Sequence, residues 1–280
     1  MISTQFDYQR AVSIEDALQK LGAGGGKLVA GGHSLVPVMK MRLSEPAMLI
    51  DIARIPSLSG IRDQGSTIEI GAGTTHREVA ASTLLRDRCP VLAETAGEIG
   101  DPQVRNRGTL GGSLAHADPA ADYPAAMLAL DAELQLQSTR GSRTVKASSF
   151  FQDVFTVDLA PDEMIVSVRF APVRAAAYAK LHQRASHFAI VGVAAAVQAN
   201  GGVITSARVG LTGAGSHAIR LTAVEQALEG QPATSSSVAT AAALATLDEV
   251  NADIHASASY RRAMIPVFTR RALEAAVGRL

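Results

Sequence analysis

The chain has 280 residues, 47% of them hydrophobic, and its 26 basic and 26 acidic side chains balance to a formal charge of zero. That length suits about two domains, and the charge balance argues against nucleic acid or an anionic membrane surface as the main partner. A single cysteine, Cys89, excludes an internal disulfide, a four-cysteine zinc site and an iron–sulfur cluster held by this chain alone.

The first residues show no basic, then apolar, leader pattern, and the longest apolar run, Phe188 to Val197, is too short to span a bilayer. With the lone cysteine these features lead us to expect a cytoplasmic protein.

In chain order, Ser13-Ile-Glu-Asp16 reads as a capping box that opens a helix through Leu21, ended by Gly22 and Gly24 to Gly26. A short strand over 27–30 runs into the turn Gly31-Gly32-His33-Ser34, then a helical turn over 35–41 and a strand over 48–52. Thr67 to Ile70 alternates as a strand, Thr75 to Glu78 is a second capping box, and helices are expected over 91–99 and 125–130. Alternation marks strands at Ala132 to Leu136 and Met164 to Phe170. Pro172 with Ala175 to Ala177 reads as a linker. Beyond it come a strand over 188–198, the turn Asn200-Gly201-Gly202, a returning strand over 203–211, and helices over 224–228, 238–250 and 260–277. The expected division is a lobe over 1–55, a second lobe over 56–174 and a third unit over 175–280.

Two glycine turns stand out. Thr109-Leu110-Gly111-Gly112-Ser113 precedes two acids, Asp118 and Asp122, placed as helix caps. Val29-Ala30-Gly31-Gly32-His33-Ser34-Leu35 follows a strand. Paired glycines admit close backbone approach, and exposed amides in such turns can cradle phosphate oxygens. Taken singly, each is as readily a connecting loop. Neither is a P-loop or a dinucleotide fingerprint. Gly213-Ala-Gly-Ser-His-Ala218 has the G-x-G-x-x-A form, but antiparallel strands followed by helices surround it rather than alternating strand–helix units. His182 and His187 are five apart, which is not a helical zinc pair, and no Gly-x-Ser-x-Gly elbow exists. Lys180 and Arg184 form a basic pair at an element boundary.

Together, Lys27 to Leu43 and Arg105 to Asp122 resemble the two flavin-binding segments of the FAD subunit of molybdenum hydroxylases, the family of carbon monoxide, nicotine and xanthine dehydrogenases. Lys180-Leu-His-Gln-Arg184, with Phe188 and the alanine-rich strand after it, resembles the start of that family's C-terminal domain. The resemblance spans essentially the whole chain. It implies an α+β fold: a two-lobed FAD-binding domain of the vanillyl-alcohol-oxidase/PCMH type, then a C-terminal domain of antiparallel strands and helices.

It also implies noncovalent FAD, with Val29 to Leu35 and Thr109 to Ser113 wrapping the pyrophosphate through amides and hydroxyls. Asp122 would bond the ribityl chain, Ile165 would lie along the flavin ring, and Lys180 would lie near its acceptor side. Phe188 would stand against the ring where relatives place Tyr or Ile, without a hydroxyl. No catalytic acid, base or metal is implied on this chain. Molybdenum cofactor and 2Fe–2S clusters would sit on a large molybdopterin-binding subunit and a small iron–sulfur subunit, in a dimer of heterotrimers. FAD would pass electrons to an external acceptor such as NAD, oxygen or a quinone. The competing readings are a self-contained flavin oxidase and a non-catalytic assembly protein.

Overall fold

A computed structural model describes residues 2–280. Strand β1 (Asp7–Arg10), helix α1 (Ile14–Gly22), strand β2 (Gly26–Val29), helix α2 (Leu35–Lys40) and strand β3 (Met48–Asp51) make the first lobe. Ser13 Oγ accepts the Asp16 amide at 3.1 Å, the expected cap. Asp16 itself turns to the Val12 amide, so the box is not closed on Ser13. The strands pair in parallel in the order β1-β3-β2, as two strand–helix–strand crossovers require. Leu18, Leu21, Ile50 and Leu58 bury a small core between this sheet and α1.

The second lobe begins with β4 (Ile61–Asp63) and β5 (Ile68–Gly71). Six short helices follow: α3 (His76–Ala81), α4 (Thr83–Arg88), α5 (Pro90–Gly97), α6 (Pro102–Arg105), α7 (Leu110–His116) and α8 (Tyr123–Ala129). Then come β6 (Glu133–Ser138), β7 (Gly141–Lys146), α9 (Ala147–Phe150), the hairpin β8 (Phe151–Asp153) and β9 (Thr156–Val157), and β10 (Met164–Phe170). The order β4-β5-β10-β6-β7 is antiparallel throughout. Thr75 closes both halves of the predicted capping box with Glu78.

The last part is a sheet of β11 (Ala176–His182), β12 (Ala189–Asn200), β13 (Val203–Thr212) and β14 (Ile219–Arg220), then α10 (Thr222–Leu228), α11 (Ser235–Ala242) and α12 (Ala258–Val277). Both faces of β12 are covered. Val191, Val193, Ala195 and Val197 pack on the C-terminal helices, while Ala194 and Ala196 join the second lobe's core beside α8. This double cover explains the near-continuous apolar run, since period-two alternation needs one wet face. It also corrects the expected linker. Ala176 and Ala177 are 0% and 1% exposed and open β11. The helix expected over 238–250 stops at Ala242. The architecture is otherwise the predicted α+β arrangement, a two-lobed domain followed by an antiparallel sheet backed by helices.

Candidate cofactor site

The first glycine segment leaves β2 at Val29, crosses Ala30 to Ser34, and enters α2 at Leu35. Among the described residues, the amides of Gly31, Gly32, His33 and Ser34 have no acceptor within the chain. Gly32 at φ 71° gives the backbone a left-handed step, the kind of conformation in which neighbouring amides can form an anion-binding concavity. His33 is exposed, and its Nδ1 lies 2.9 Å from Gly31 O, folded onto its own loop.

The two segments meet backbone to backbone. A Cβ on Gly31 would stand 2.2 Å from Arg107 O and 2.8 Å from the Gly108 Cα. The pairing inferred from resemblance thus has a physical seam, and Gly31 is the residue that permits it.

The second segment differs from expectation. It is the start of α7, not a free turn, and its amides from Leu110 onward are spent inside the fold, leaving that of Thr109. Leu110 N donates to Thr74 O (3.0 Å), Gly111 N to Ala72 O (2.8 Å) and Ser113 N to Thr109 O (3.0 Å). Gly112 N donates to Thr109 Oγ1, the helix cap, at 3.2 Å. This wall therefore offers an exposed Gly112 surface and the Ser113 hydroxyl rather than an amide cradle.

Downstream, the C-terminal sheet grips the 118–122 segment. Gly213 N donates to Pro119 O (2.8 Å), Ala189 N to Ala120 O (3.1 Å), and Thr212 Oγ1 to Pro119 O (3.0 Å) and Ala121 O (2.7 Å). Asp118 accepts the Ala120 amide at 2.8 Å within this loop. Asp122 precedes α8 but caps nothing. Its carboxylate instead accepts Tyr178 Oη at 2.5 Å and Lys180 Nζ at 2.8–2.9 Å. Lys180 Nζ also donates to Glu98 O at 2.9 Å.

Burial pushes the Asp122 carboxyl up to about 6, with Lys180 opposing the shift. Burial and the adjacent Asp122 charge push the Tyr178 phenol well above its usual range. The Lys180 side chain is 1% exposed, so it meets the cleft through Asp122 rather than directly. Sequence reasoning missed Tyr178. The available signal was its period-two spacing from Lys180, which puts both on one face of a strand. A Cβ on Gly192, across from Lys180 on β12, would stand 2.3 Å from Tyr178 Oη.

Ile165 lies in the second lobe's core, 5% exposed, just before a bulge in β10. Phe188 is 48% exposed at the entry to β12. His76, inside the second capping box, lies buried against Gly108, and burial lowers its pKa to about 4.

The decoys resolve structurally. Residues 213–218 join antiparallel β13 to β14. The rings of His182 and His187 stack at 5.0 Å, and His116 packs on Phe155. Among the described residues no three His, Cys, Asp or Glu side chains cluster as metal ligands.

The residues present fit FAD. Four successive amides without a protein acceptor suit a pyrophosphate, because each is a free donor at the start of a helix.

Residues 4–173 match the family described as FAD binding domain in molybdopterin dehydrogenase, and residues 176–276 match the CO dehydrogenase flavoprotein C-terminal domain. The carbon monoxide dehydrogenase medium chain of Hydrogenophaga pseudoflava is 40% identical over 285 residues, covering 100% of this chain and 99% of the relative. Subunit alpha of the 6-hydroxypseudooxynicotine dehydrogenase complex of Paenarthrobacter nicotinovorans is also 40% identical, covering 98% and 95%. Among solved structures, carbon monoxide dehydrogenase from H. pseudoflava superposes with a TM-score of 0.95 at 40% identity, covering 100% of this chain and 99% of that one. Quinoline 2-oxidoreductase from Pseudomonas putida 86 gives 0.93 at 31% identity, covering 99% of each.

Proposed function

Because this chain belongs to the FAD-binding medium subunits of the molybdenum hydroxylases, we propose that it is the electron-transfer station of such a complex. It would take electrons from an iron–sulfur small subunit and hand them to an external acceptor of the NAD, oxygen or quinone class. FAD is its cofactor, and the molybdenum cofactor belongs to another subunit. The assembly expected is a dimer of heterotrimers in the cytoplasm. Among the described residues no helix is long and apolar enough to cross a membrane.

Flavin supplies the exchange between single-electron and paired-electron transfer. The chain's own residues do the rest. The amides of Gly31 to Ser34 hold the pyrophosphate, while Val29, Ala30 and Leu35 fix the ends of that loop. Thr109, Leu110 and Gly111 set the opposite wall, and Gly112 and Ser113 present its surface. Asp122 takes ribityl hydroxyls, held in place by Tyr178 and Lys180. Ile165 backs the ring and Phe188 excludes water from its open side.

The observation that supports this reading most directly is the run of four amides, Gly31 to Ser34, without a protein acceptor, in the segment whose Gly31 packs against the Arg107–Gly108 backbone. The test is co-purification with the partner subunits, followed by flavin and metal analysis and stopped-flow reduction. We expect the complex to reduce this chain's flavin when substrate is added, and the isolated yellow chain to stay oxidised. Substrate turnover by the isolated chain would overturn the proposal in favour of a self-contained oxidase.

A further inference from the structure

A cleft of about 660 Å³ runs along α5, lined by Arg86, Arg105, Arg174 and Arg279, with Glu94 its one carboxylate. Neither glycine turn, Val29 to Leu35 or Thr109 to Ser113, borders it, although Arg105, the first residue of the second flavin-binding segment, does. The four guanidiniums come from separate places: α4, the end of α6, the junction before β11, and the chain end after α12. Four positive charges against one negative is a local imbalance in a chain whose net charge is zero.

The guanidiniums are held largely by neutral groups. Arg86 donates to Ala80 O at 2.9 Å. Arg105 donates to Ile99 O at 3.0 Å and Gly100 O at 2.8 Å. Arg279 donates to Ala176 O and to Glu94. Glu94 is further occupied by the Tyr178 amide at 3.1 Å. Backbone carbonyls orient a guanidinium without cancelling its charge, so the cleft keeps a fixed positive field. Arg86 and Arg174 are both exposed and have donors to spare.

The geometry points to a binding site for a small organic phosphate. Arginine forks match phosphate oxygens in pairs. Convergence from four elements on one volume suits a compact polyanion better than an extended acidic segment. The volume falls in the usual range of small-molecule sites, about 300–1,000 Å³.

The test is calorimetric titration of the FAD-loaded chain with inorganic pyrophosphate at low salt, so that the flavin's own phosphate cradle is already filled. Wild type binds, and added salt weakens the binding. The double variant Arg86→Gln/Arg174→Gln binds roughly tenfold or more weakly, the least that losing charge-assisted hydrogen bonds costs, with its flavin spectrum and FAD affinity unchanged. Equal pyrophosphate affinity in wild type and variant overturns the proposal. So does an absence of binding by wild type; if the variant complex then also loses its partner subunits, the cleft is a docking surface for an acidic protein segment.

Discussion

Lys180 Nζ lies 2.8 Å from Asp122 Oδ1, in a pair whose side chains are 1% and 5% exposed. One partner comes from the entry to α8 in the second lobe and the other from the first strand of the C-terminal sheet. The ion pair therefore fastens the two parts at the point where the ribityl chain is proposed to lie.

Removing one partner leaves the other charged and buried. Lys180→Met should cost about 3–5 kcal/mol in urea denaturation. The double replacement Asp122→Leu/Lys180→Met should recover most of that stability, because an apolar pair of similar volume needs no counter-charge. A single-variant loss under about 1 kcal/mol would place the pair in the class of exposed surface bridges.

Asp122 and His76 should pull acid stability in opposite directions. Asp122 titrates near 6 folded against 3.8 in a free chain, so between those values the folded state holds more protons, and this group favours folding as pH falls. His76 titrates near 4 against 6.5, so over that window the unfolded state holds more protons and stability is lost on acidification, by at most about 3 kcal/mol. Chemical denaturation between pH 4 and 7 should show a flatter acid limb for His76→Gln and a steeper one for Asp122→Asn. Parallel curves for all three proteins would refute both assignments.

Tyr178→Phe removes a donor from a buried carboxylate without changing shape. FAD affinity of the apo chain, read by flavin fluorescence, should fall by about 1–3 kcal/mol. Gly192→Ala should give a similar loss, because its Cβ would displace the Tyr178 hydroxyl. Asp122→Ala should lose at least as much as Tyr178→Phe. Wild-type affinity in both Tyr178→Phe and Gly192→Ala would separate Tyr178 from the cofactor.

Gly31→Ala puts a methyl group against the Arg107 carbonyl, which belongs to backbone and cannot rotate away. The two walls should part, at a cost of about 1–3 kcal/mol, seen as weaker FAD binding with little change in secondary structure by circular dichroism. Gly112→Val, on the other wall, sets its Cβ 2.8 Å from the capping Thr109 Oγ1 and should block binding by bulk and by disturbing that cap, while leaving the Gly31 seam closed. Protease cutting between Gly31 and Ser34 should therefore rise in the first variant and not in the second.

Much of the fold was legible because its signals are local. Ser13, Thr75 and the Asn200 to Gly202 turn each carry their structure in a few adjacent residues. Other features depended on distant partners. β1 reads Asp-Tyr-Gln-Arg, with all four residues exposed and no apolar alternation, and is a strand only because β3 pairs with it. Ala175 to Ala177 resembles a spacer because alanine gives no alternation, yet two layers bury it. Helix α7 holds two glycines, and its start is secured by the carbonyls of Ala72 and Thr74, almost forty residues upstream. At the site, the glycine segments announced themselves by composition. The Asp122–Tyr178–Lys180 cluster did not, because its members meet only when the C-terminal sheet is laid against α5 and α8.

The grip of the C-terminal sheet on residues 118–122 also sets an order of events in time. Thr212 and Gly213, which supply three of the hydrogen bonds to Pro119 and Ala121, are made some ninety residues after the segment they hold. While the chain is being synthesised, both glycine walls emerge long before the hand that steadies Asp122. If Asp122 holds FAD as proposed, flavin loading should be a late step of biogenesis that waits for β13, and a nascent chain stalled short of residue 212 should hold FAD loosely even though every residue of its phosphate cradle is already made.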